Sequence, residues 1–251
     1  STRIIYEEML EVYNQILEGR EAELVPLQVD YFDWIREEKQ WEDSPEYKQA
    51  KKYWLNELEK PLPLLSLPVD YQRPPVKTYN GGYKTSLVPK ALVKRVKAMA
   101  GDLNITLNEF FMSVYYILLY KLTGEEDIIL GLPKENRINK DYERVVGLFV
   151  NSLCIRINPK EGMDFKDLTA LVKSKCLGAY KNSRYSFSTL VGILNPERDI
   201  SRNPIFSTMF QFYDNIPQEN EETVLDDMSL YLRNKGDDIE CRVEYLSLIH
   251  I

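Results

Sequence analysis

TLNEFFMSVYYILLYKLTGEEDIILGL, residues 106–132, is the stretch whose reading decides the fold. Thr106 to Leu122 is a strongly apolar helix with start and stop signals of its own. Thr106 with Glu109 three residues on makes a capping box, and Gly124 supplies the stop. The run that follows, Asp127 to Leu132, is continuous, apolar and short, as a buried strand is. A helix delivered directly into a buried strand places the chain in the α/β class.

Downstream, the pattern predicts a long strand over Val145–Ile157 and a helix over Asp164–Lys181 that buries Phe165, Leu168, Val172, Cys176 and Ala179. Three more strands are expected at Ile205–Tyr213, Met228–Arg233 and Ile239–Tyr245. The last alternates, with Ile239, Cys241, Val243 and Tyr245 on one face and Glu240, Arg242 and Glu244 on the other, so its charged face is expected to be solvated. Upstream lie a strand at Tyr83–Val88 and a helix at Pro89–Ala100 closed by Gly101. Long crossovers alternate with hairpin-like neighbours, so the sheet should be mixed.

Five prolines between Pro61 and Pro75 mark an extended connector, because proline restrains both itself and the residue before it. Before the connector, Ser44 and Pro45 begin a helix whose buried stripe is Tyr47, Ala50, Trp54 and Leu58. The chain opens inside an amphipathic pattern, Ile5, Met9, Val12, Ile16 and Leu17, stopped by Gly19. A start within an element and without Met is what a part cut from a longer chain would have.

Composition narrows the function. The 251 residues are 44% apolar and 28% charged, enough to bury a core. Thirty-two Lys plus Arg against 39 Asp plus Glu give a net charge of −7, which argues against nucleic acid as the main ligand. The longest apolar stretch, Val114–Tyr120, falls far below the roughly 20 residues of a membrane span, and a cytoplasmic location is expected. Cys154, Cys176 and Cys241 are widely spaced within apolar segments and read as reduced core thiols. No Cys-x-x-Cys or His-x-x-x-His spacing points to a metal. The one histidine, His250, stands next to the last residue, so an internal histidine base is not available within these residues.

Three segments carry more punctuation than folding requires. In LGLPKENR, a strand end passes through Gly131 and Pro133 to a polar turn closed by Arg137, and ligands of open α/β sheets sit beyond strand ends. A solvated turn is the plainer alternative. In VGLFVNSLCIRI, Gly147 permits close approach of a backbone or ligand. Asn151 lies in the same apolar run, where an amide must either bond neighbouring backbone or face a cavity. In RDISRNPIFSTMFQFYDN, the residues Arg198, Asp199, Ser201, Arg202 and Asn203 crowd a turn ended by Pro204. Arg with Asp at such a turn most often braces a loop through charge-assisted bonds.

Taken in order and spacing, LGLPKENR, VGLFVNSLCIRI and RDISRNPIF resemble successive core motifs of the condensation domains of non-ribosomal peptide synthetases. YFDWIREEKQW, residues 31–41, resembles the motif that precedes them, and DDMSLYL and CRVEY resemble closing strands of that domain. The resemblance implies a chloramphenicol acetyltransferase-like fold of two α/β lobes with a tunnel between them. Residues 1–75 would be the tail of the first lobe plus the connector, and 76–251 most of the second lobe. The implied reaction is peptide-bond formation between a carrier-bound acyl or peptidyl thioester and a carrier-bound amine.

The HHxxxDG motif that carries the family's key histidine is absent, and LSLIHI replaces the polar turn expected after Tyr245, so His250 matches no family position. The resemblance therefore implies no catalytic residue within the chain. It implies Asn151 and Gly147 as tunnel lining, and Arg137, Arg198, Asp199, Ser201, Arg202, Asn203 and Pro204 as structural motif residues. No cofactor would be bound by this chain, since the phosphopantetheine arm belongs to partner carrier domains. Expected partners are donor and acceptor peptidyl carrier domains, an adjacent adenylation domain and the first lobe. Rival readings are a related carrier-dependent acyltransferase, an epimerisation or cyclisation domain, and a non-catalytic module that docks carriers.

Overall fold

The computed structural model describes residues 1–158, 162–197, 199–214 and 224–248. Helices α1 (Thr2–Leu17), α2 (Tyr31–Trp41) and α3 (Pro45–Glu57) precede the sheet. There follow β1 (Gly81–Val88), α4 (Lys90–Asp102), α5 (Leu107–Thr123), β2 (Ile128–Glu135), β3 (Val150–Ile157), α6 (Phe165–Lys181) and α7 (Phe187–Leu194). The chain then forms β4 (Thr208–Asp214), β5 (Met228–Lys235) and β6 (Asp238–Leu246).

The six strands form one sheet in the order β1-β6-β5-β4-β2-β3. β1–β6, β5–β6 and β2–β3 pair antiparallel, whereas β2–β4 and β4–β5 pair parallel, so the sheet is mixed. Helices α4, α5 and α6 lie side by side against β6, β4 and β3. The capping box expected at Thr106 is formed in both directions, and Gly124 ends α5 in the left-handed region at φ 72°. Met112, Tyr115, Tyr116 and Leu119 of α5 are buried with Leu168, Val172, Cys176 and Ala179 of α6. Both buried tyrosines satisfy their hydroxyls: Tyr115 meets Thr208 Oγ1 at 2.6 Å and Tyr116 donates to the Ile155 carbonyl. Ala50, Trp54, Leu58, Leu65 and Leu67 belong to this same core, so α3 and the first part of the proline-rich connector pack with the sheet. Trp54 Nε1 donates to the Asn182 carbonyl at 2.9 Å, pinning α3 to the end of α6.

The strand expected from Ile205 begins at Thr208, and three larger expectations change. The strand predicted over Val145–Ile157 begins only at Val150. Val145 and Phe149 are drawn instead into a separate apolar cluster with Tyr142 and the α2 side chains Tyr31 and Trp34. A bond from Asn136 N to Phe149 O, 2.7 Å, marks where the segment leaves the ladder. The charged face of β6 is not solvated: Arg242 and Glu244 are each only 9% exposed. They pair with each other at 2.7 Å, and the Arg242 guanidinium lies 4.0 Å over the Tyr83 ring, so mutual coverage hides them. The periodicity at the start of the chain does make α1, yet Ile5, Met9, Ile16 and Leu17 face outward, and its buried positions are Ile4 and Gln15.

Two helices carry start signals that the apolar pattern did not reveal. Asp30 and Asp33 cap α2 reciprocally, and the Ser186 hydroxyl accepts from Thr189 N at the start of α7. Among the described residues, no helix is long and apolar enough to cross a membrane.

Candidate functional site

The segment between β2 and β3 folds into a corner held by Arg137. Its Nη1 donates to the carbonyls of Tyr142 and Val145, the latter at 2.8 Å, and its Nε pairs with Glu135. The guanidinium also stacks 4.0 Å from the Phe149 ring centre. Gly147 lies directly under the Tyr31 ring, where any Cβ would collide with it. The Tyr31 hydroxyl donates to Leu148 O at 3.1 Å, and Tyr142 donates to Glu37 Oε1 at 2.8 Å. Helix α2 is thus the lid of this corner, which explains why an aromatic-rich segment stands so far upstream of the glycine it covers.

Asn151 follows at the start of β3, opposite Lys134 of β2. Its Nδ2 donates to Ser183 O at 2.7 Å and Tyr185 O at 2.8 Å, while its Oδ1 accepts from Phe187 N at 2.9 Å. Each capacity of the amide is spent on the turn joining α6 to α7. Of the two alternatives left open by the sequence, the contacts are those of neighbouring backbone.

The loop at residues 199–204 forms a second cluster. Asp199 Oδ1 accepts from Ser201 N at 2.8 Å and Ser201 Oγ at 2.6 Å. These bonds, and then the Arg202 charge, hold its carboxyl below the usual range. Arg202 donates to Leu65 O at 3.3 Å and approaches Asp199 and Asp227 at 3.4 and 3.6 Å. Asn203 donates to Asp226 Oδ1 at 2.6 Å and accepts from Lys77 Nζ at 2.8 Å. Arg73 grips Asp227 with both terminal nitrogens, at 2.9 and 2.5 Å, and donates to Ser201 O at 3.1 Å. Burial raises the Asp226 carboxyl above its ordinary value against the opposing bonds of Ser229 and Asn203. Burial likewise lowers the Lys77 amine, against the opposing charges of Asp226 and Asp227. Just beyond Pro204, the β-branched Ile205 has φ 72°, a strained position that the clamped loop holds in place. Arg198 and His250 lie outside the described residues.

The two clusters meet through a pair of rings. Phe206 sits over Gly131, where a Cβ would strike it, and packs 5.4 Å from the Phe187 ring whose backbone N–H is held by Asn151. The residues singled out in the sequence are therefore brought to one side of the β2–β4 junction. Sequence reading missed Arg73, Lys77, Asp226 and Asp227, which complete the loop's ion pairs. The available signal was the pair of acids immediately before β5 and the arginine and lysine flanking Pro74 and Pro75.

Among the described residues, no cluster of three His, Cys, Asp or Glu could hold a metal ion. Burial pushes the Cys154 thiol far above its ordinary range and Cys176 up to about 12, so neither is a thiolate at neutral pH. What remains is a rigid polar corner beside glycines that let rings and backbone come close.

A mixed six-stranded sheet with helices α4, α5 and α6 along it, and this corner at the β2–β4 junction, define the class: a chloramphenicol acetyltransferase-like α/β unit. Residues 1–238 match the condensation domain family, and the chain belongs to that family. It is 36% identical to tyrocidine synthase 3 of Brevibacillus parabrevis over 210 residues, 84% of this chain and 3% of that protein. It is 34% identical to gramicidin S synthase 2 of Aneurinibacillus migulanus over 221 residues, 88% of this chain and 5% of that protein. Among solved structures, the X-domain in complex with OxyB from teicoplanin biosynthesis superposes with a TM-score of 0.88 at 18% identity, covering 100% of this chain and 60% of that one. The first condensation domain of the calcium-dependent antibiotic synthetase, bound to a substrate analogue, gives 0.77 at 15% identity, covering 99% and 58%. The chain thus spans a small part of its curated relatives and about 60% of that X-domain chain.

Proposed function

We propose that this chain is most of the second lobe of a non-ribosomal peptide synthetase condensation domain, with the tail of the first lobe at its N-terminal end. The reaction is amide-bond formation. The nitrogen of a carrier-bound aminoacyl group attacks the carbonyl carbon of a carrier-bound acyl or peptidyl thioester and forms the C–N bond. The C–S bond then breaks, and the departing thiol sulfur takes up the proton that the nitrogen releases. The substrates arrive on phosphopantetheine arms of donor and acceptor carrier domains, with an adenylation domain adjacent.

The role of this chain is to supply a fixed wall. Gly147 and Asn151 stand in the tunnel wall, in the corner that Arg137 holds, with the Asn151 amide bonded to the backbone behind it. The hydrogen bonds of this corner are already satisfied by protein, so it keeps its shape when substrate enters and leaves. The loop Asp199–Pro204 with Arg73 and Asp227 braces that wall from behind. The proton-handling histidine of the HHxxxDG motif would come from the first lobe.

One observation supports the two-lobe reading above the others. α1 carries Ile5, Met9, Leu10, Tyr13 and Ile16 on its solvent side, and an apolar face of that length is expected to have a cover. The test is reconstitution. The chain alone, mixed with loaded donor and acceptor carriers, is expected to yield no dipeptidyl product by mass spectrometry. The chain joined to a first lobe bearing HHxxxDG is expected to yield it. Product from the chain alone, or none from the joined domain, overturns the proposal.

The runner-up is a non-catalytic module that recruits another protein. The X-domain of similar fold, described in complex with OxyB, favours it. It predicts binding without product in both arms of the reconstitution.

A further inference from the structure

The outer surface of the helical layer carries a feature that the proposed reaction does not use. On α4, Leu92, Arg95 and Met99 follow one another at intervals of three and four residues and lead to Leu103 at the helix end. Lys166, Ala170, Lys173, Ser174 and Leu177 form one stripe of α6. Leu103, Ile105 and that stripe line a groove of about 360 Å3. Each stripe is about 16 Å long, the length of three helical turns. Leu177 is exposed there, and Leu92 and Met99 are exposed on α4.

Charge distinguishes this surface from the rest of the molecule. α4 and α6 together carry eight basic and two acidic side chains, in a chain whose net charge is −7. Every described arginine except Arg95 reaches a carboxylate. Lys94 and Lys166 are likewise outside the ion pairs of the described residues, and Lys173 donates only to the Asn104 carbonyl. Lys90 and Lys175 are paired with Asp238 and Glu57, and Asp164 is committed to the first turn of α6, which leaves Asp102 and Asp167 against the remaining cations. The other exposed apolar helix, α1, has the opposite character, with Glu7, Glu8 and Glu11 beside its apolar residues.

We propose that the groove between the α4–α5 turn and α6 docks an acidic amphipathic helix of a partner protein. Leu103, Ile105 and Leu177 take its apolar stripe, Lys166 and Lys173 face its carboxylates, and Met99 and Arg95 of α4 extend the surface beyond the groove. Ala170 and Ser174 beside the lysines let the partner backbone come close. Apolar anchors would supply affinity and the cationic border orientation and rate, as electrostatically steered interfaces do.

The probe is a synthetic, labelled helical peptide with a leucine stripe flanked by glutamates, titrated against the purified chain by fluorescence anisotropy. Its counterpart carries lysines in place of the glutamates. The acidic peptide is expected to bind, and about tenfold more weakly when the salt is raised enough to shorten the screening length several-fold. Arg95→Glu with Lys166→Glu, at unchanged melting temperature, should reverse the preference to the lysine peptide. Leu177→Ser should weaken both peptides. Absence of binding by the acidic peptide, or binding that the charge reversal leaves unchanged, overturns the proposal.

Discussion

Helices α1 and α5 are almost the same length, 16 and 17 residues, and both show a helical apolar period. They end in opposite environments. In α5, Met112, Tyr115, Tyr116 and Leu119 are 1% exposed or less, whereas Ile5, Tyr6, Met9, Leu10, Tyr13, Ile16 and Leu17 of α1 are between 44% and 72% exposed. Periodicity sets which residues share a face, because the 3.6-residue turn is local. Whether that face meets a sheet or water depends on what else is present: among the described residues α5 packs on β4, while the apolar side chains of α1 are exposed.

The largest effect that can break this comparison is catalytic. If α1 is a surface awaiting the first lobe, joining that lobe should take product formation from none to measurable and should remove dye binding at α1. Unchanged dye binding in the joined domain would mean that α1 is a true outer surface.

Next comes a core truncation. Leu119→Ala in α5 is expected to cost about 2–5 kcal/mol in urea denaturation, since it leaves a cavity between helix and sheet. A loss no larger than that of Leu10→Ala in α1 would erase the distinction between the two helices.

Asn151 lies between these extremes, half-buried but fully bonded. Asn151→Ala strands the Phe187 N–H and two carbonyls, so a loss of about 1–3 kcal/mol is expected, with slackening of the α6–α7 turn. Amide hydrogen exchange at Phe187 would show it directly. Protection unchanged from the parent would return Asn151 to the role of a group facing a cavity.

The smallest effect belongs to α1. Met9→Lys should change stability by no more than about 0.5 kcal/mol while lowering the binding of a hydrophobic dye. A destabilisation comparable to that of Leu119→Ala would mean that α1 is held by contacts of a core kind.

Much of the fold was legible because its signals are local. Thr106, Glu109 and Gly124 bound α5, Ser44 and Pro45 start α3, and the order of helical and strand patterns requires a mixed sheet. The site was half legible. Arg137, Gly147, Asn151 and the Asp199–Pro204 loop stand out as residues that cost something unless they are used. Their partners did not, because Arg73 lies 154 positions from Asp227 and Tyr31 lies 117 from the carbonyl it binds. A sequence pattern carries no term for such separations.

By itself the sequence determined most of the helical and extended segments, α2 and α7 excepted, and which polar residues are out of place in apolar surroundings. It also carried, in three spaced motifs, the resemblance to condensation domains that the family match then established. Only the tertiary structure decided that Val145 and Phe149 leave the strand for the aromatic residues of α2, that Arg242 and Glu244 hide each other on β6, and that α1 presents its apolar face to solvent. The physical reason is common to all three. Helix and turn propensities are settled within a few residues, but burial is settled by competition among surfaces distant in sequence, and the winner is fixed only when the chain has folded.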